Sequence, residues 1–341
     1  MAAVTHLYSP PPVDAPAAIP RTLHVNRSRS DRAFLRGSLG SGLAVLSLMV
    51  AVGLFLLIRA WDALASQGVA FLTTAEWEPD RGEFGIASVV IFTVSIAAIA
   101  VVVAMPLSLG TALFITEVVP VKLRSTFVAM VDLMAAVPSV VYGLWGLLFF
   151  QTHVLGLSRW LGRWLGWIPF FKVDGTDPGS AIPVLTAFTS STLIAGLVVA
   201  LMVMPIQTSI MREVFSQVPL GEREGALALG ATRWGMIRIV SLPFARGGII
   251  GGTMLGLGRA LGETIAVYLI ISPRFDISFH ILEAGSNSVS SLIALRAPEA
   301  SGFALSALMA AGLALFLLTL VVNFTASAFV ARSRSGASTD S

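Results

Sequence analysis

Residues 211–247 read MREVFSQVPLGEREGALALGATRWGMIRIVSLPFARG, a polar stretch set between two apolar ones. Its fixed points are Glu224-Gly225-Ala226, then Gly230, then Val240-Ser241-Leu242-Pro243. Outward from it the chain turns greasy in both directions. Of its 341 residues, 55% are hydrophobic and 12% charged, and the mean hydropathy is +0.84. Soluble domains carry about 25% charged residues, so the composition is that of an integral membrane protein. Backbone polar groups in hydrocarbon must be satisfied inside their own segment, which makes the expected fold all-α.

An apolar run of about 20 residues crosses ~30 Å of hydrocarbon. Six transmembrane helices are expected on that basis, at 39–58, 86–116, 126–150, 182–210, 247–271 and 302–330. The transmembrane domain then occupies 38–331, with the polar loop at 212–246. Pro106 and Pro205 lie inside spans, where each removes a backbone donor and is expected to kink the helix. Residues 1–37, rich in Pro, Ala, Ser and Arg, lack hydrophobic periodicity and read as a disordered tail. The run that follows is too long for the core of a cleavable signal. A second short tail covers 332–341. Between the third and fourth spans, Trp160, Trp164 and Trp167 fall at i, i+4 and i+7. That spacing puts the indoles on one helical face and predicts a separate interfacial helix over 155–167.

Composition also excludes functions. There is no cysteine, hence no disulfide and no thiolate metal site. His6, His24, His153 and His280 show no ligand spacing, so no metal site is expected. Lys122 and Lys172 are the two lysines and neither follows glycine, so a phosphate-binding loop for ATP is absent; any ATP hydrolysis, with its Mg, must lie in another subunit. The isoelectric point near 9.8 does not signal nucleic acid, because the basic residues gather at the ends of apolar segments. With the amino terminus in the cytoplasm, 14 of the 22 basic residues fall on the inner side and seven outside. The positive-inside rule therefore puts both termini and the 212–246 loop in the cytoplasm.

Two intramembrane polar sites remain. In Gly258-Arg259-Ala260-Leu261-Gly262-Glu263-Thr264, a central arginine costs about 2.5–3.5 kcal/mol to insert. Arg259 and Glu263, four apart, are expected to share one helical face. They could form a local ion pair, or line the route of an anion whose oxygens suit the arginine fork. Seven glycines, from Gly247 to Gly262, give this span a surface for close helix packing. In the third span Pro138 frees a carbonyl, and Ser139 could pack, back-bond or serve as a polar group on the same route.

Three motifs in order, P-S-V-V-Y-G-L-W-G at 138–146, the Glu224–Pro243 loop and G-R-A-L-G-E-T at 258–264, carry a family resemblance from about residue 40 to 330. The loop is similar to the E-A-A-x3-G-x9-I-x-L-P loop of type I ABC importer permeases, with Gly225 for the middle Ala and Val240 for Ile. With the other two motifs, the chain resembles the PstC-type permease subunits of phosphate-specific ABC importers. The resemblance implies a type I permease fold whose short cytoplasmic coupling helix, with Glu224, Gly225, Ala226 and Gly230, docks on an ATPase. It implies as partners a second, PstA-like permease, a PstB-like ATPase dimer and a PstS-like extracytoplasmic phosphate-binding protein. Inorganic phosphate would pass Arg259, Glu263 and Ser139 in a bacterial plasma (inner) membrane, without enzymatic activity or cofactor in this chain. Sulfate, molybdate or tungstate could replace phosphate. Other classes stay open: an ATP-independent secondary anion transporter or channel, for which the Glu224 loop would have no use, and a membrane sensor of phosphate.

Overall fold

The apolar runs fold as the hydropathy demands. In a computed structural model that describes residues 28–174, 179–180 and 184–334, six helices are long and apolar enough to cross a membrane. They are α1 (Arg29–Gln67), α2 (Ala87–Val118), α4 (Ser139–Leu165), α5 (Thr192–Ser216), α7 (Arg233–Leu261) and α10, whose spanning part is Gly302–Thr325. Between them lie α3 (Val121–Ala136), α6 (Leu220–Ala228), α8 (Ile265–Ile270) and α9 (Val289–Arg296). A two-residue hairpin pairs Trp77 with Phe84 and Glu78 with Glu83. The chain divides into a unit of residues 1–52 and a unit of residues 53–341. The first, as far as it is described, is the exposed beginning of α1.

The second unit centres on α5. Ile194, Ala195, Val198, Val199, Met202 and Val203 are buried against Ile96, Ala97, Ala100 and Ala104 of α2. The alanines of α2 recur at helical spacing, and small residues let two backbones approach closely in lipid. A polar clasp adds to the fit: Ser108 of α2 donates to Met204 O at 3.0 Å and to Gln207 Oε1 at 3.3 Å, with Gln207 fully buried. Pro106 and Pro205 both lie inside unbroken helices.

Several expected boundaries shift, each for a local reason. The expected third span, 126–150, is two helices. Val137 and Pro138 take extended backbone between α3 and α4, because a proline ring pushes the preceding residue out of helical geometry. The helix expected over 155–167 is present to Leu165 but is not detached from the span: helical backbone runs unbroken from Ser139 to Leu165, so it is the end of α4. Trp160 and Trp164 still share an exposed face, Arg163 lies over the Trp164 ring at 5.9 Å, and Trp167 falls past the helix end. The fifth span ends at Leu261 rather than running to 271. The expected disordered tail is helical from Arg29, its earlier part lying outside the described residues, as does most of 332–341.

Candidate functional site

The 212–246 loop folds into a short helix and a sharp exit. Pro219 precedes α6, where a missing N–H costs nothing, and Glu222 sits in the first turn, favoured by the helix dipole. At the other end Gly230 takes φ +89°. Its N–H meets Leu227 O at 3.0 Å, and the Ala231 N–H meets Ala226 O at 3.1 Å. These two bonds are the Schellman closure, which needs a left-handed residue at this point. Two residues on, the Thr232 side chain accepts from Gly235 N–H at 3.1 Å and starts α7.

No residue of α6 is buried. Glu224 and Gly225 are exposed and Ala226 is half-buried. Beside them Leu227, Leu229 and Trp234 hold 43%, 91% and 63% of their surface open. They leave apolar surface open in an otherwise polar segment.

The second region is a pair of helix breaks. Gly143 of α4 packs so closely on α8 that an added Cβ would stand 2.9 Å from the Ala266 Cα. Three residues later a Cβ on Gly146 would stand 2.9 Å from the Ile270 side chain, so α4 and α8 run side by side in the same direction. α4 begins at Ser139, four residues before its contact, and α8 begins at Ile265, one residue before its own, so each helix starts from a break close to the packing point.

Arg259 and Glu263 do not share a face, contrary to expectation. Gly262 is a poor helix former, and α7 stops before it. Glu263 turns to the next helix: its Oε1 accepts from Ala266 N–H at 3.1 Å, capping α8, and the residue is 8% exposed. Arg259 stays exposed and, among the described residues, forms no ion pair with Glu263 or with any other side chain. Ser139 is half-buried at the first position of α4.

A third element was missed in the sequence. Residues 286–291, Ser-Asn-Ser-Val-Ser-Ser, read as a polar loop, yet all six are buried. Val289 N–H donates to Thr93 Oγ1 at 3.0 Å, six residues into α2, and Ser290 Oγ donates to Glu263 O at 2.6 Å. The connection therefore re-enters the layer of the spans and seats α9 against the break. The Ser288–Ser291 capping box was the available signal. Asp132 was also missed. It is an exposed carboxylate on α3 that accepts from Ser209 Oγ at 3.2 Å.

The fold also gathers Asp174, His280 and Glu283, whose ligand atoms lie within 4.8 Å of one another. No spacing in the sequence predicts this set. Each carboxylate already holds a cation: Lys172 Nζ lies 2.7 Å from Asp174, and Arg274 Nη1 lies 2.7 Å from Glu283. The Lys172 hydrogen bond holds the Asp174 carboxyl below its usual range. The arrangement is an ion-pair network that ties residues 172–174 to 274–283.

The sequence profile of the family described as "Binding-protein-dependent transport system inner membrane component" matches residues 104–335. Phosphate transport system permease protein PstC 2 of Mycobacterium tuberculosis is 37% identical over 321 residues, covering 93% of this chain and 96% of that protein. Phosphate transport system permease protein PstC of Mycobacterium leprae is 40% identical over 279 residues, with 81% and 85% covered. Among solved structures, a bacterial alginate ABC transporter in complex with its alginate pentasaccharide-bound periplasmic protein contains a chain that aligns with TM-score 0.53 at 17% identity. The alignment covers 86% of this chain and 95% of that one. At that identity the likeness is one of fold.

Proposed function

The chain belongs to the family of binding-protein-dependent transport system inner membrane components, and from that premise we propose that it is a membrane-spanning permease subunit of an ATP-driven importer of inorganic phosphate. The observation that carries the reading is the α6 element: a helix without buried residues, closed by a left-handed glycine, with Leu227, Leu229 and Trp234 bare beside Glu224. Such a surface suits docking into a groove on a separate ATPase. Glu224, Gly225, Ala226 and Gly230 are its coupling residues, and the ATP and Mg sit on that partner.

The partner set is a PstA-like second permease, a PstB-like ATPase dimer and a PstS-like phosphate-binding protein. The bias of arginine and lysine toward one side of the spans supports a topology with both termini and α6 in the cytoplasm of a bacterial cell, and with the Asp174–Glu283 network facing out. Phosphate passes between the two permeases along the face that holds Arg259. An unpaired guanidinium attracts an oxyanion, and a weak, open site lets it leave. Ser139, the first residue of α4 after the break at Pro138, is a second polar group on that route. Glu263 acts by capping α8, so its contribution is to hold the break open rather than to balance Arg259.

The test is phosphate uptake by the reconstituted complex in proteoliposomes. Uptake should require both ATP and the binding protein, and sulfate, molybdate and tungstate should compete poorly. Arg259→Gln should abolish uptake while the complex still assembles. ATP-independent uptake, or normal uptake by that variant, would refute the corresponding part of the reading.

A further inference from the structure

The last turn of α2 is wide: Phe114–Val118 closes with Val119 N–H on Phe114 O, five residues back. A helix end leaves carbonyls without helical partners, and here arginine supplies them. Arg124 of α3 donates from Nε to Ile115 O at 3.1 Å and from Nη2 to Thr116 O at 2.7 Å. The next residue in that turn, Glu117, faces α6. Its Oε1 lies 3.2 Å from Arg223 Nη2, with the two side chains only 9% and 16% exposed. The same Nη2 donates to Phe215 O in the last turn of α5. One guanidinium thus joins the coupling helix to the ends of two spans.

This pair is poorly built for stability. Glu117 Oε1 and Arg223 Nε are buried and make no hydrogen bond, so the contact is ionic and incomplete. The desolvation of such a pair rivals its attraction, and removing both charges together is often neutral for folding. What the pair does supply is position. α6 buries no residue of its own, and Arg223 is the side chain that reaches inward from it.

We propose that the Arg223–Glu117 contact is the link through which displacement of α6 moves the ends of α2 and α5 as one body. The proposal rests on the reading of the chain as an ATP-driven permease and makes both residues positioning residues for coupling. The experiment measures phosphate moved per ATP hydrolysed by the full reconstituted complex. Allosteric couplings commonly span 5–150-fold, so Glu117→Gln and Arg223→Gln should each lower that ratio about tenfold, with Arg223→Lys retaining most of it. The double variant Glu117→Gln/Arg223→Gln removes both buried charges, so it should assemble like the wild type and remain uncoupled. Wild-type stoichiometry in the double variant would overturn the proposal. So would its failure to assemble, which would make the pair a folding device. If the wild-type complex itself moved phosphate without ATP, the functional reading would fail, whatever the variants did.

Discussion

Adding one methyl group at Gly225 and at Gly230 should have opposite effects, although both sites are open. An ideal Cβ meets nothing within 4 Å at either position, so packing cannot decide the sign and backbone conformation must. Gly225 lies inside α6 with ordinary helical geometry. Replacing glycine by alanine there gains roughly 0.8–1 kcal/mol of helix propensity. Gly230 holds φ +89°, where a Cβ crowds the carbonyl at a cost of about 1–2 kcal/mol. Gly225→Ala should therefore slow hydrogen exchange of the α6 amides about fivefold, and Gly230→Ala should speed it about 5–30-fold, since 1–2 kcal/mol corresponds to that factor. The assay is exchange mass spectrometry on the purified chain, read at 220–231. Equal shifts of the same sign, or no acceleration in Gly230→Ala, would refute the assignment of the closure. In the complex, the second variant should lower uptake per ATP, because the helix then leaves at the wrong angle.

Gly143→Ala places a Cβ 2.9 Å from a backbone atom, Ala266 Cα, as well as 2.9 Å from Leu269 Cδ1. Because backbone cannot swing aside, the cost should be about 1–3 kcal/mol, seen as a lower thermal midpoint of the purified chain. Glu263→Ala removes the cap on α8 and should cost about 1–2 kcal/mol in the same assay, whereas Glu263→Gln keeps an acceptor oxygen and should cost much less. Equal losses in both variants would mean that charge, not capping, holds Glu263 in place.

Hydropathy located the spans because length and apolarity are properties of a window of residues. It misplaced their ends because helices run beyond the hydrocarbon into polar sequence, as α1 does from Arg29. The break at Gly262–Thr264 stayed hidden for a related reason: Leu257, Leu261 and Ile265 keep the window apolar straight through it. The i, i+4 spacing of Arg259 and Glu263 held only while the helix was assumed continuous. The break at Pro138 was more readable, since the residue before proline resists helix, and the expectation erred in letting a span run through it. Burial of Ser286–Ser291 could not be read at all. A serine-rich run looks the same whether it faces water or re-enters the protein, and the deciding partners, Thr93 and Glu263, are supplied by distant elements. The polar Glu224 loop was legible because glycine spacing and a terminal proline encode turns locally.

The pairing of α2 with α5 sets a schedule for biogenesis. Ala104 and Val203, buried in one cluster, are separated by about 100 residues, which a ribosome adds in roughly 5–20 s at 5–20 residues per second. Until α5 is made, the alanine stripe of α2 and the Ser108 hydroxyl lack the partners that cover them in the fold. A newborn chain stalled before residue 192 would present that groove to any neighbouring helix, so translation pauses in 119–191 should favour misassembly more than pauses elsewhere.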